Sequence, residues 1–110
     1  MSNAYKILGQ SAPSDTSNAD LYTVPASRSA VVSTLLITNT SSSSSVCKIY
    51  ARQNGATAST SNAIIYDAEI KGNDFIAVTL GLTLGENDVI TVQSSVGNSL
   101  TFQAFGSEIS

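Results

Sequence analysis

The chain has 110 residues, 42% of them hydrophobic and only 12% charged, with a formal net charge of −3. That length fits one domain, 1–110, large enough to bury a core without staples. No apolar run approaches the roughly 20 residues of a membrane span, and the five basic residues are scattered, so neither membrane insertion nor nucleic-acid binding is expected.

The charged share is about half the usual one, while Ser and Thr number 19 and 11. The surface must therefore be neutral and rich in hydroxyls, with few charges to keep copies apart. Such a surface suits a protein that packs against itself or against a large partner; a bland, small acidic domain fits the same totals. The lone cysteine, Cys47, rules out a disulfide within the chain and fits a reducing compartment. The first ten residues lack a long apolar core behind a basic segment, so no signal peptide is expected.

In chain order, short β-branched runs alternate with turn signals. Residues 5–8 form the first candidate strand, which pairs either within the domain or with another chain. A polar loop with Pro13 leads to a strand over 20–24, stopped by Pro25, which lacks an amide hydrogen and disfavours helix before it. The corner at 26–29 takes the chain across to another sheet or back on itself. Residues 30–38, AVVSTLLIT, read as a central strand, and Ser41–Ser45 as a flexible connection. Over 46–52, Cys47, Ile49 and Ala51 share the core face.

A loop at 54–62 precedes a strand at 63–70, with Ile64, Tyr66, Ala68 and Ile70 on one face and Asp67 and Glu69 on the other. Turns at 71–74 and 85–88 bracket a strand over 75–84, in which Gly81 marks a bend or bulge. The pair Gly97-Asn98 signals a hairpin joining strands 89–93 and 99–104, and 105–109 reads as a tail. The sum is an all-β, antiparallel β-sandwich of seven or eight strands. Eight suit a jelly roll and seven an immunoglobulin-like sandwich.

The chemistry expected is sparse. Without histidine, Ser-His and Cys-His catalysis is impossible. Ser45-Val-Cys-Lys48 has the spacing of an acyl-transfer motif but needs a helix where a strand is expected. Asp67 and Glu69 fit a solvated outer face, and Asp74, Glu86 and Asp88 fit turn positions. Neither a metal nor a cofactor is expected. Asn39-Thr-Ser41 matches a glycosylation acceptor without any sign of export. Tyr22 and Tyr50 are candidate subunit contacts, since tyrosine is enriched at interfaces; otherwise their rings edge the core.

Four segments taken in order resemble a known group. They are residues 5–10 (YKILGQ) with Pro13, 21–26 (LYTVPA), 32–35 with 37–39, and the ending 102–109 (FQAFGSEI). The chain, along nearly its full length, is similar to short virion proteins of tailed bacteriophages, including phages of cyanobacteria and other aquatic bacteria. The resemblance implies a β-sandwich structural protein without catalytic residues, found in the virion and assembled in the bacterial cytoplasm. It implies a capsid decoration or cement protein, expected as a homotrimer with the major capsid protein as partner. The alternative it implies is a tail or head fibre module that contacts a host surface glycan or protein.

Overall fold

A computed structural model describes residues 3–110; Met1 and Ser2 lie outside the described part. Eight strands form in chain order: β1 (Asn3–Ser11), β2 (Ala19–Thr23), β3 (Ser29–Asn39), β4 (Ser45–Arg52), β5 (Ala63–Ile70), β6 (Phe75–Leu84), β7 (Val89–Ser94) and β8 (Leu100–Ile109). They build two four-stranded sheets, ordered β1-β8-β3-β6 and β2-β7-β4-β5. All pairings are antiparallel, and β1 meets β8, β2 meets β7, β3 meets β6 and β4 meets β5. A strip of paired strands rolled up in this way, with every connection but the one between β4 and β5 crossing from sheet to sheet, is a jelly roll.

The core lies between the sheets and follows from the period-2 alternation. Val32, Leu35 and Ile37 from β3, and Phe102 and Ala104 from β8, face Cys47 and Ile49 from β4 and Ile90 and Val92 from β7; all are essentially inaccessible. β3, β8, β4 and β7 are the inner strands of their sheets, and they carry most of these side chains.

Several sequence expectations change. Residues 94–99 are not a hairpin turn, because β7 and β8 lie in different sheets. The segment crosses the sandwich instead, and Ser45, Ser94 and Ser99 interlock beneath it: Ser45 Oγ donates to Ser99 Oγ at 2.8 Å, and Ser99 Oγ donates to the Val96 carbonyl at 2.6 Å. The expected tail at 105–109 is the second half of β8 and pairs with both β1 and β3. The first strand pairs with β8 of its own chain, over a longer span than 5–8.

The serine run is a hydrogen-bonded crossing rather than a free tether. Asn39, buried at the end of β3, donates through Nδ2 to the carbonyls of Ser43 and Ile70 and accepts through Oδ1 from Ser41. With its amide occupied and covered, Asn39 is closed to glycosylation in the folded chain. The corner after β2 takes the crossing option: the Arg28 amide bonds the Pro25 carbonyl with Ser27 at φ 65°, and β3 begins in the other sheet.

Bulges bend both sheets. Leu8 in β1, Ser33 in β3 and Leu80-Gly81 in β6 interrupt the ladders side by side, with Gly81 at φ 65° as its position suggests. In β5 the ladder shifts at Ile64 and again at Asp67, and Asp67 sits at φ 58°.

Candidate interaction faces

The Asp67 bulge overturns part of the expected face assignment. Alternation holds from Ala68 to Ile70, which pair with Cys47 and Ser45, but the extra residue reverses it upstream. Ile65 therefore points inward opposite Ile49, and Tyr66 points outward opposite Lys48. Lys48 Nζ donates to Asp67 Oδ1 at 2.6 Å and sits 4.8 Å from the Tyr66 ring centre. The hydrogen bond to Asp67 is the main reason its ammonium pKa is raised. Beside it, Arg52 Nη1 reaches Asp20 Oδ1 at 3.2 Å and Thr91 Oγ1 at 3.0 Å. The outer face of the β2-β7-β4-β5 sheet thus carries Asp20, Lys48, Arg52, Asp67 and Glu69, each on or next to an outward register position.

The opposite outer face is different. Its rows, read across β1, β8, β3 and β6, are Tyr5-Ser107-Val31-Thr83, then Ile7-Phe105-Thr34-Thr79, then Gln10-Gln103-Leu36-Ala77. A last partial row is Thr101-Thr38-Phe75. None of these residues is charged. Tyr5 is 83% exposed and Phe75 59%, with Ile7 and Leu80 also exposed. The two charged residues of this sheet, Lys6 and Glu108, belong to inward register positions.

Tyr22 and Tyr50 do not offer the exposed rings that a subunit anchor needs. They are 8% and 7% exposed. Tyr22 reaches across from β2 and donates its hydroxyl to Glu108 Oε2 at 2.6 Å. Burial, then this bond, pushes its phenol pKa well up. Arg28 Nη1 and Lys6 Nζ donate to Glu108 Oε1 at 3.0 and 3.3 Å. The bond from Tyr22 first, and the two cations after it, hold the Glu108 carboxyl below its ordinary range. The exposed rings belong instead to Tyr5, Tyr66 and Phe75.

The remaining expected residues take structural places. Cys47 is fully buried, and burial raises its thiol to about 11. Asp88 accepts from the amides of Gly85 and Asn54, Glu86 from that of Ser27, and Asp74 from that of Phe75. Among the described residues no three His, Cys, Asp or Glu side chains gather as metal ligands. A cleft of about 450 Å³ opens beneath the 53–62 excursion, lined by Ala51, Gln53, Ala56, Ser61, Asn62 and neighbours.

No family model matches the chain, and no curated protein matches it. Among solved structures, the chain is similar to one from the structure of infectious bursal disease virus, Gx strain, with a TM-score of 0.52 and 11% identity. The match covers 97% of this chain and 31% of that one, so the likeness is one of fold across a part of a longer protein.

Proposed function

We propose that this chain is a non-enzymatic structural protein of a virion: a decoration or cement protein that binds and stabilises the assembled capsid of a tailed bacteriophage. The observation that carries this reading is the uncharged outer face of the β1-β8-β3-β6 sheet, with Tyr5, Ile7, Phe75 and Leu80 exposed on it. A broad apolar and hydroxyl-rich face suits lasting contact with another protein surface. The jelly roll recurs in viral shells, and the fold likeness to a chain of a virus structure points the same way. Its partners in this reading are the major capsid protein and further copies of itself.

A fibre module that binds a host surface is the second reading. The cleft beneath residues 53–62 favours it, because Gln53, Ser61 and Asn62 offer amide and hydroxyl groups of the kind that bind sugars. Quantitative mass spectrometry of purified particles separates the two. Hundreds of copies per particle support a shell protein; a copy number near a dozen assigns the chain to the tail or fibre, and absence from particles removes both.

A further inference from the structure

The sandwich has four sheet edges, and three are blunted. β2 is five residues long and runs towards Pro25. β5 is broken by the Asp67 bulge and carries Asp67 and Glu69. β1 is bulged at Leu8 and carries Lys6 in its first half. Its second half is closed against β2, where a side chain at Gly9 would collide with the Leu21 carbonyl. Short length, charge, bulges and cover are the devices by which monomeric sheets avoid pairing with other chains.

β6 has almost none of them. It is ten residues long with neither charge nor proline, and its bulge at Leu80-Gly81 leaves an unbroken run from Phe75 to Thr79. That run pairs residue by residue with β3 on one side and, among the described residues, has no strand on the other. Ile76 and Val78 pack on the core yet stay half-covered, and Phe75 is exposed at its start. We propose that this edge is the contact between two copies of the chain, which join β6 to β6 about a two-fold axis at Ala77.

The choice of partner follows from the segment itself. A strand added here must bring small or apolar residues inward and no charge. Antiparallel pairing centred on Ala77 does so, because it keeps inward positions opposite inward positions. Ile76 then meets the partner's Val78, Phe75 meets the partner's Thr79, and Ala77 meets its own counterpart. No like charges are brought together. The sheet continues as β1-β8-β3-β6 into the same four strands in reverse. Five residues at about 3.4 Å each give a seam of roughly 17 Å. A seam only one strand deep and of that length buries far less than the roughly 800 Å² per partner of a stable complex. The pair is therefore weak in dilute solution and strengthened wherever copies are held side by side. It is a two-fold contact, distinct from the trimer that the phage resemblance implies, and it does not depend on where in a particle the chain resides.

Light scattering over a dilution series reaching about 1 mM tests this. The mass should climb from 11.4 kDa towards twice that value. Ala77→Lys, which sets two ammonium groups face to face on the axis, should weaken association at least about tenfold while leaving circular dichroism unchanged. In a Cys47→Ala background, Ala77→Cys should cross-link on oxidation, whereas Thr83→Cys, exposed on the same face but beyond the bulge, should not. A constant 11.4 kDa mass overturns the proposal. So does a trimer that Ala77→Lys leaves intact, or equal cross-linking of the two cysteine variants.

Discussion

At the scale of single residues, Glu108 ties together parts of the chain that are far apart in sequence. Its carboxylate joins β8 to β2 through Tyr22, to β1 through Lys6 and to the corner before β3 through Arg28. The bond from Tyr22 is buried, while both cations are nearly half exposed, which screens their share. Tyr22→Phe should cost about 1.5 kcal/mol in urea unfolding, and Glu108→Gln about 2 kcal/mol, since a charged acceptor is lost. The pH dependence follows from the lowered carboxyl pKa. A carboxyl that is more acidic when folded stabilises the fold fully above its unfolded pKa, and that stabilisation is lost as pH falls through the folded value. Stability measured below pH 4.5 should therefore drop more steeply for the wild-type chain than for Glu108→Gln. Cys47 makes a second residue-scale case: a covered thiol with a pKa near 11 should react with a thiol reagent at pH 8 only as fast as the chain opens.

At the scale of elements, two glycines separate space from backbone conformation. Gly81 has open surroundings but φ 65°, so Gly81→Ala should cost only about 1 kcal/mol. Gly106 has no unusual φ, but a β-carbon there would run into the Val31 carbonyl of the neighbouring strand. Gly106→Ala forces β8 and β3 apart and should destabilise by several times as much, which urea midpoints of the two variants will show.

The positions of the strands were readable from alternation and turn residues, as at Phe75–Leu84, where the expected and observed limits agree. Their order was not. Gly97-Asn98 announces a reversal but says nothing about which sheet the chain enters next, so a crossing looks like a hairpin in the sequence. Asp67 at positive φ hid a change of phase, because aspartate tolerates that conformation without advertising it as glycine does, and Tyr66 was placed on the wrong face. Nothing near Glu108 in sequence marks it, because its partners lie 80 to 102 residues away. The uncharged face was visible only as a composition until the register set the neutral residues of four strands side by side.

At the scale of the whole molecule, the roll makes nearly every pairing a long-range one. β1 and β8, the first and last strands, are neighbours, and Asn3 lies opposite Ile109. Such topologies fold on the order of milliseconds to seconds, because loops must close before contacts form. Stopped-flow refolding should therefore fall in that range. Removing residues 105–110 should abolish cooperative unfolding in calorimetry, since it strips β1 of half its partner and deletes Glu108.

The place of β8 between β1 and β3 has one more effect, on the order of events during synthesis. Among the eight described strands, the first to be made has no sheet partner except the last to be made. With Tyr5 and Ile7 on it, β1 leaves the ribosome and waits for about ninety further residues, roughly 5 to 20 s at usual translation rates. Through that interval the nascent chain holds its earliest apolar strand open, so the domain closes only after β8 has emerged, and ribosome-bound chaperones have their longest access at its N-terminal strand.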